Sequence, residues 1–73
     1  MNKILDEEKF VFCLQNIIGK TIEEAETICI PQKISVRVVK IDTFFVPGRH
    51  NYDADRCNVG ITAGIITEVL GMY

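Results

Sequence analysis

The chain has 73 residues, 48% hydrophobic and 25% charged, with eight Lys and Arg against ten Asp and Glu, and it reads as a single domain over 1–73. A chain of this length buries only about 60% of its unfolded surface, so one thin core must stabilise everything and no separate catalytic and regulatory domains fit. The net charge of −2 argues against a general nucleic-acid binder, and the apolar fraction argues against a disordered body.

Acids at Asp6, Glu7 and Glu8 interrupt the N-terminal segment before any apolar run forms, which rules out a secretory leader there. No stretch approaches the roughly 20 apolar residues that span a bilayer. Cys13, Cys29 and Cys57 are odd in number and far apart, which fits reduced, partly buried thiols; one bridge plus one free thiol is the alternative. These features together predict a soluble cytoplasmic protein with no membrane partner.

The same three acids favour a helix N-terminal turn. Phe10, Cys13, Leu14, Ile17 and Ile18 then recur at three- and four-residue spacing, and Gly19 suits a left-handed stop. Thr21 and Glu24 form the reciprocal capping pattern of a second helix, whose narrow apolar face is Ile22, Ala25 and Ile28 or Cys29. Pro31 ends it by pushing the preceding residue out of helical geometry.

From Ile34 to Ile41 the period becomes two. Ile34, Val36 and Val38 face one way and Ser35 and Arg37 the other, and the phase reversal over Val39, Lys40 and Ile41 predicts a bulge or a strand buried on both faces near its end. A second strand is predicted over Cys57 to Thr62, a turn at Ala63 and Gly64, and a third strand over Ile65 to Leu70. The inward face of that last strand stays open between Ile65 with Val69 and Ile66 with Leu70.

Between the first two strands lies Thr43 to Asp55, read as a long loop without secondary structure; it holds three of the six aromatics and the only His. Such loops are uncommon in small domains and tend to be functional, and one this long can join parallel strands. Phe44, Phe45, Arg49, His50, Asn51 and Tyr52 combine apolar anchors with donors, the mix that makes binding hot spots. Arg56 is placed to brace the loop through its carbonyls, Asp53 or Asp55. In the plainer alternative Phe44 and Phe45 extend the core, Pro47-Gly48 makes a turn and Arg56 forms a solvated ion pair.

Other chemistry finds little footing. Gly19-Lys20-Thr21 looks like the end of a phosphate-binding P-loop, but Leu14 stands where the earlier glycine belongs. The Cys residues lack close pairs, and His50 stands alone, so no metal or other cofactor is predicted. Ser35, the sole serine, sits mid-strand, and Asp53 with Asp55 suits turn hydrogen bonding better than acid-base work, so the chain reads as no enzyme.

The order Gly19-Lys20-Thr21-Ile22-Glu23-Glu24-Ala25, the strand Ser35-Val36-Arg37-Val38-Val39, then Tyr52-Asp53-Ala54-Asp55-Arg56-Cys57-Asn58-Val59 and a closing hairpin resembles the potato type I serine-protease inhibitors and their bacterial relatives over about residues 19 to 70. The resemblance implies an α+β fold, a small mixed sheet packed on a helix with the N-terminal helix added, and the loop presented to a protease. By position it implies a scissile-like bond between His50 and Asn51, Tyr52 two places beyond it, Arg56 as a loop-supporting arginine and Asn58 in place of a second. The loop is about three residues longer than is usual for the family. Pro47-Gly48-Arg49 replaces the usual apolar and Thr residues, and Arg49 suits a trypsin-like pocket only if the register shifts. Two readings of another kind remain beside the inhibitor. One is a homo-oligomeric module binding a small anionic ligand such as a nucleotide through Arg49, His50, Arg56 and the loop aromatics; the other is an assembly adaptor using Phe44, Phe45 and the N-terminal helix.

Overall fold

A computed structural model describes residues 2–48 and 51–73, with side chains of the first helix from Glu8 onward. In chain order the elements are α1 (Asn2–Asn16), α2 (Ile22–Cys29), a single 3-10 turn (Ile30–Gln32), β1 (Ser35–Ile41), β2 (Phe44–Phe45), β3 (Arg56–Thr62) and β4 (Ile65–Met72). The result is a small α+β domain in which one four-stranded mixed sheet, ordered β2-β1-β3-β4, carries both helices.

The acids mark the first turn of no helix, because α1 already begins at Asn2 and closes at Asn16. Ile17 and Ile18 therefore sit in the turn that follows, where Gly19 takes φ +90°. Only one of this pair is buried: Ile17 is sealed in the core while Ile18 is exposed. The α2 cap forms in full. The Glu24 amide donates to Thr21 Oγ1 at 3.2 Å, and the Thr21 amide donates to Glu24 Oε1 at 3.0 Å, which holds that carboxyl below the usual carboxylate range. Thr21→Ala is expected to lower stability by about 1 kcal/mol, read as a lower midpoint in urea with an unchanged slope; an unchanged midpoint would show that the cap contributes nothing net.

The end of α2 departs from expectation. Ile30, before Pro31, keeps right-handed helical geometry at φ −53° and ψ −49°, and the chain tightens into the 3-10 turn instead of breaking. The actual stop is Lys33, left-handed at φ 59°. Proline early in a short helix removes an amide that has no partner there in any case, so it is tolerated at that place.

β1 and β3 run parallel at the centre of the sheet, with the register shifting between Val38 and Lys40, and β3 pairs antiparallel with β4 through a two-residue turn. Ala63 and Gly64 both take positive φ in that turn, as a tight hairpin matched to strand twist requires. The ambiguity of β4 has a physical origin. Cys57, Val59 and Ile61 pair with Met72, Val69 and Ile66, so core residues every two positions on β3 meet core residues every three on β4. Register shifts at Thr67 and Leu70 absorb the difference, and no single alternation describes the strand.

The core lies between the helices and one sheet face: Cys13 and Ile17, Ala25 and Cys29, Ile34, then Cys57, Val59 and Ile66. All three thiols are fully buried and free, with Cys13 in hydrogen-bonding contact with both others. Its bond with Cys57, then burial, pushes the Cys13 thiol up, and burial pushes Cys29 up to about 12. Protonated thiols in an apolar core behave as small hydrophobes, not as ligands or nucleophiles. No helix among the described residues is long and apolar enough to cross a membrane.

The opposite sheet face is polar and organised in cross-strand rows. One row runs Arg37, Asn58, Gly71; the next runs Lys40, Gly60, Glu68, where Gly60 leaves room for the Glu68 side chain to cross and meet Lys40 at 3.0 Å.

Candidate functional site

Residues 42–55 make the parallel crossover from β1 to β3, and they are not structureless. Asp42, at φ 55°, and Thr43 turn the chain back so that Phe44 and Phe45 pair antiparallel with Ile41 and Lys40 as β2, the sheet's edge. The loop expectation missed this because two residues are too few for a period to show. The Val46 amide extends the pairing to the Val39 carbonyl at 2.8 Å. Phe44 and Phe45 are 77% and 70% exposed, so they do not extend the core. Their partner on the polar side is Lys40, whose ammonium lies 5.5 Å from the Phe45 ring centroid.

The far end of the crossover is tied down by polar contacts. Asp53 makes a local turn: its carboxylate accepts the Asp55 amide at 2.9 Å and its carbonyl accepts the Arg56 amide at 3.1 Å. The Asp55 carbonyl accepts the Ser35 amide at 2.9 Å, and its carboxylate pairs with Lys9 of α1. Neither acid takes the Arg56 guanidinium. Arg56 instead donates through Nη2 to the Asn51 carbonyl and through Nε to the Tyr73 main-chain oxygen at 3.1 Å.

Asn58 joins this arrangement from beneath. It is fully buried; Nδ2 donates to the main-chain oxygens of Gly71 and Tyr73 at 3.1 Å each, and Oδ1 accepts Arg37 Nε at 2.9 Å. The Tyr73 oxygen thus receives both Arg56 and Asn58, locking the C-terminal tail to the base of the crossover. Two clefts flank this hub. One of about 370 Å³ lies between Arg37, Tyr73 and the Phe45-Val46-Pro47 edge, and one of about 140 Å³ lies between Arg37, Tyr73, Asn51 and Tyr52.

The geometry therefore brings Asn51, Tyr52, Arg56 and Asn58 to one place, with Phe44 and Phe45 on the other shoulder of the crossover. Asn51 and Tyr52 are exposed, Tyr52 at 71%. Arg49 and His50 lie outside the described residues. Sequence reasoning passed over Arg37 and Tyr73, which border both clefts. A signal existed for Arg37: a cation on the polar phase of β1 sits opposite Asn58 on the polar phase of β3, once their parallel register is known.

Among the described residues no group of three acidic, Cys or His side chains is placed to hold a metal ion. What the site offers is two exposed stretches, up to Gly48 and from Asn51 onward, the first tied by the Val46 amide on β1 and the second by Arg56 at the Asn51 carbonyl. No protein-family model, no curated protein and no solved structure matches the chain, which leaves the site's own geometry to define what it can do.

Proposed function

We propose that the protein is a non-catalytic binding module of the serine-protease-inhibitor kind, presenting the 43–55 crossover to a peptidase. The observation that carries this reading is the contact of the Arg56 guanidinium with the Asn51 carbonyl, anchored in turn on Tyr73. A segment tethered before binding avoids part of the ordering cost, about 1–2 kcal/mol per residue, that a free loop would meet on entering a cleft. After any cut between His50 and Asn51, the same bridge keeps the Asn51 side in place for resealing, so the chain resists turnover where an ordinary substrate departs. Arg49 or His50 would occupy the target's primary pocket, and Tyr52 the far side of the bond.

The test is stoichiometric inhibition across trypsin-, chymotrypsin- and subtilisin-like enzymes, with mass spectrometry of the complex for slow cleavage within residues 48–51. Inhibition of at least one class is expected at micromolar protein or below. No inhibition across the panel, or rapid cleavage with release of both halves, removes the reading.

The adjoining clefts favour a second reading, a small anionic ligand seated beside Arg37 with Tyr52 or Tyr73 against its ring. Thermal stabilisation by mono-, di- or cyclic nucleotides, with no effect on the peptidases, selects it over the first.

A further inference from the structure

We infer that the two clefts together take one ligand, a pair of nucleobases joined by a phosphodiester, with a base in each cleft and the linking phosphate beside Arg37; this rests on the ligand reading of the clefts. The clefts are neighbours with two residues in common, Arg37 and Tyr73. Each adds an exposed ring of its own: Phe45, 70% exposed, in the larger, and Tyr52, 71% exposed, in the smaller. Aromatic faces stack on any base, so the arrangement offers two stacking places around one cation.

The parts are set before a ligand arrives. Asn58 Oδ1 accepts Arg37 Nε at 2.9 Å, which steadies the guanidinium where the clefts meet. Phe45 is held in register opposite Lys40, whose ammonium lies against its ring. Tyr73 packs over Gly71, where a Cβ would come within 3.1 Å of the ring, and its main-chain oxygen is tied by Arg56 and Asn58. Groups already in place lose little freedom on binding.

Charge selects the linker. The four strands carry Arg37, Lys40 and Arg56 against Glu68 alone, whereas α1 and α2 carry six acids against two lysines. The net charge of −2 thus conceals a positive sheet, and Arg37 places both clefts on it. An anionic bridge between two rings is favoured there over a neutral one. A mononucleotide fills one cleft only and meets one of the two exposed rings.

The experiment titrates the full chain by calorimetry with adenosine monophosphate, a linear adenine dinucleotide and cyclic di-adenosine monophosphate. At least one dinucleotide is expected to bind about ten-fold or more tightly than the monophosphate, and more weakly as salt rises. Preference for the linear form names single-stranded nucleic acid as the source, and preference for the cyclic form names a closed dinucleotide; either supports the pairing of bases. Phe45→Ala and Tyr52→Ala, one in each cleft, should each weaken that binding about ten-fold, and Ile30→Ala, in the 3-10 turn after α2, should leave it unchanged. Thermal melts of the variants should coincide, because all three side chains are exposed. Dinucleotides that bind no more tightly than the monophosphate, or affinity retained within about two-fold by both ring variants, overturn this proposal and leave the single-ligand reading standing. Binding that ignores salt overturns the placement of the phosphate. If none of the three compounds binds, the ligand reading falls and this proposal falls with it.

Discussion

Asn58→Ala is expected to lower the unfolding free energy by about 3 kcal/mol, the sum of three buried hydrogen bonds at about 1 kcal/mol each. The loss compounds, because Arg37 Nε, the Gly71 oxygen and the Tyr73 oxygen all surrender an Asn58 partner at once. Asn58→Asp separates the contributions. Aspartate keeps the acceptor for Arg37 but turns a second oxygen toward two carbonyls, so it should destabilise nearly as much as alanine. Urea titrations on both variants decide the matter; a loss under about 0.5 kcal/mol would mean that water replaces the amide without penalty. So small a domain has little reserve, and a change of this size should lower its melting temperature by more than about 10 °C.

Arg56→Ala should act on the crossover more than on the fold. It frees the Asn51 carbonyl and one of the two donors on Tyr73, while Asn58 still holds the tail. Stability should fall by only about 1–2 kcal/mol, whereas Asn51 loses its tether, and if the chain acts as the proposed inhibitor, inhibition should weaken about 100-fold. Arg56→Lys should not rescue, because an ammonium lacks the planar fork that reaches two oxygens at fixed geometry. Limited digestion supplies a readout independent of any target: a broad-specificity peptidase should cut the Arg56→Ala crossover faster than the unaltered one. Equal cutting rates would show that the bridge does not restrain the segment.

Much of the framework was legible because it is local. The Thr21 and Glu24 pair, the turn at Ala63 and Gly64, and the alternation over β1 and β3 each concern residues within a few positions of one another. The phase reversal at Val39 announced the observed register shift. Where local rules misled, tertiary pairing had overridden them. Ile30 stays helical despite Pro31, β2 exists only because β1 offers it an edge, and β4 follows the residues opposite it on β3.

The crossover shows the same division. Its length, its aromatics and the position of Arg56 could be read in chain order, and they pointed to a braced, exposed segment without saying what braces it. Asp53 and Asp55 were equally plausible partners by charge, yet both are consumed, one by its own turn and one by Lys9 of α1.

By itself the sequence determined the helices, the two central strands and the place of the exposed crossover, since periodicity and capping act over one or two turns of chain. Only the tertiary structure decided that Arg56 reaches Asn51 and Tyr73, that Asn58 ties the tail to Arg37, and that β4 turns every third residue toward the core. Those outcomes depend on strand register and on which groups remain unpaired when separate strands and the tail meet, and hydrogen-bond satisfaction of that kind is a property of the assembled fold.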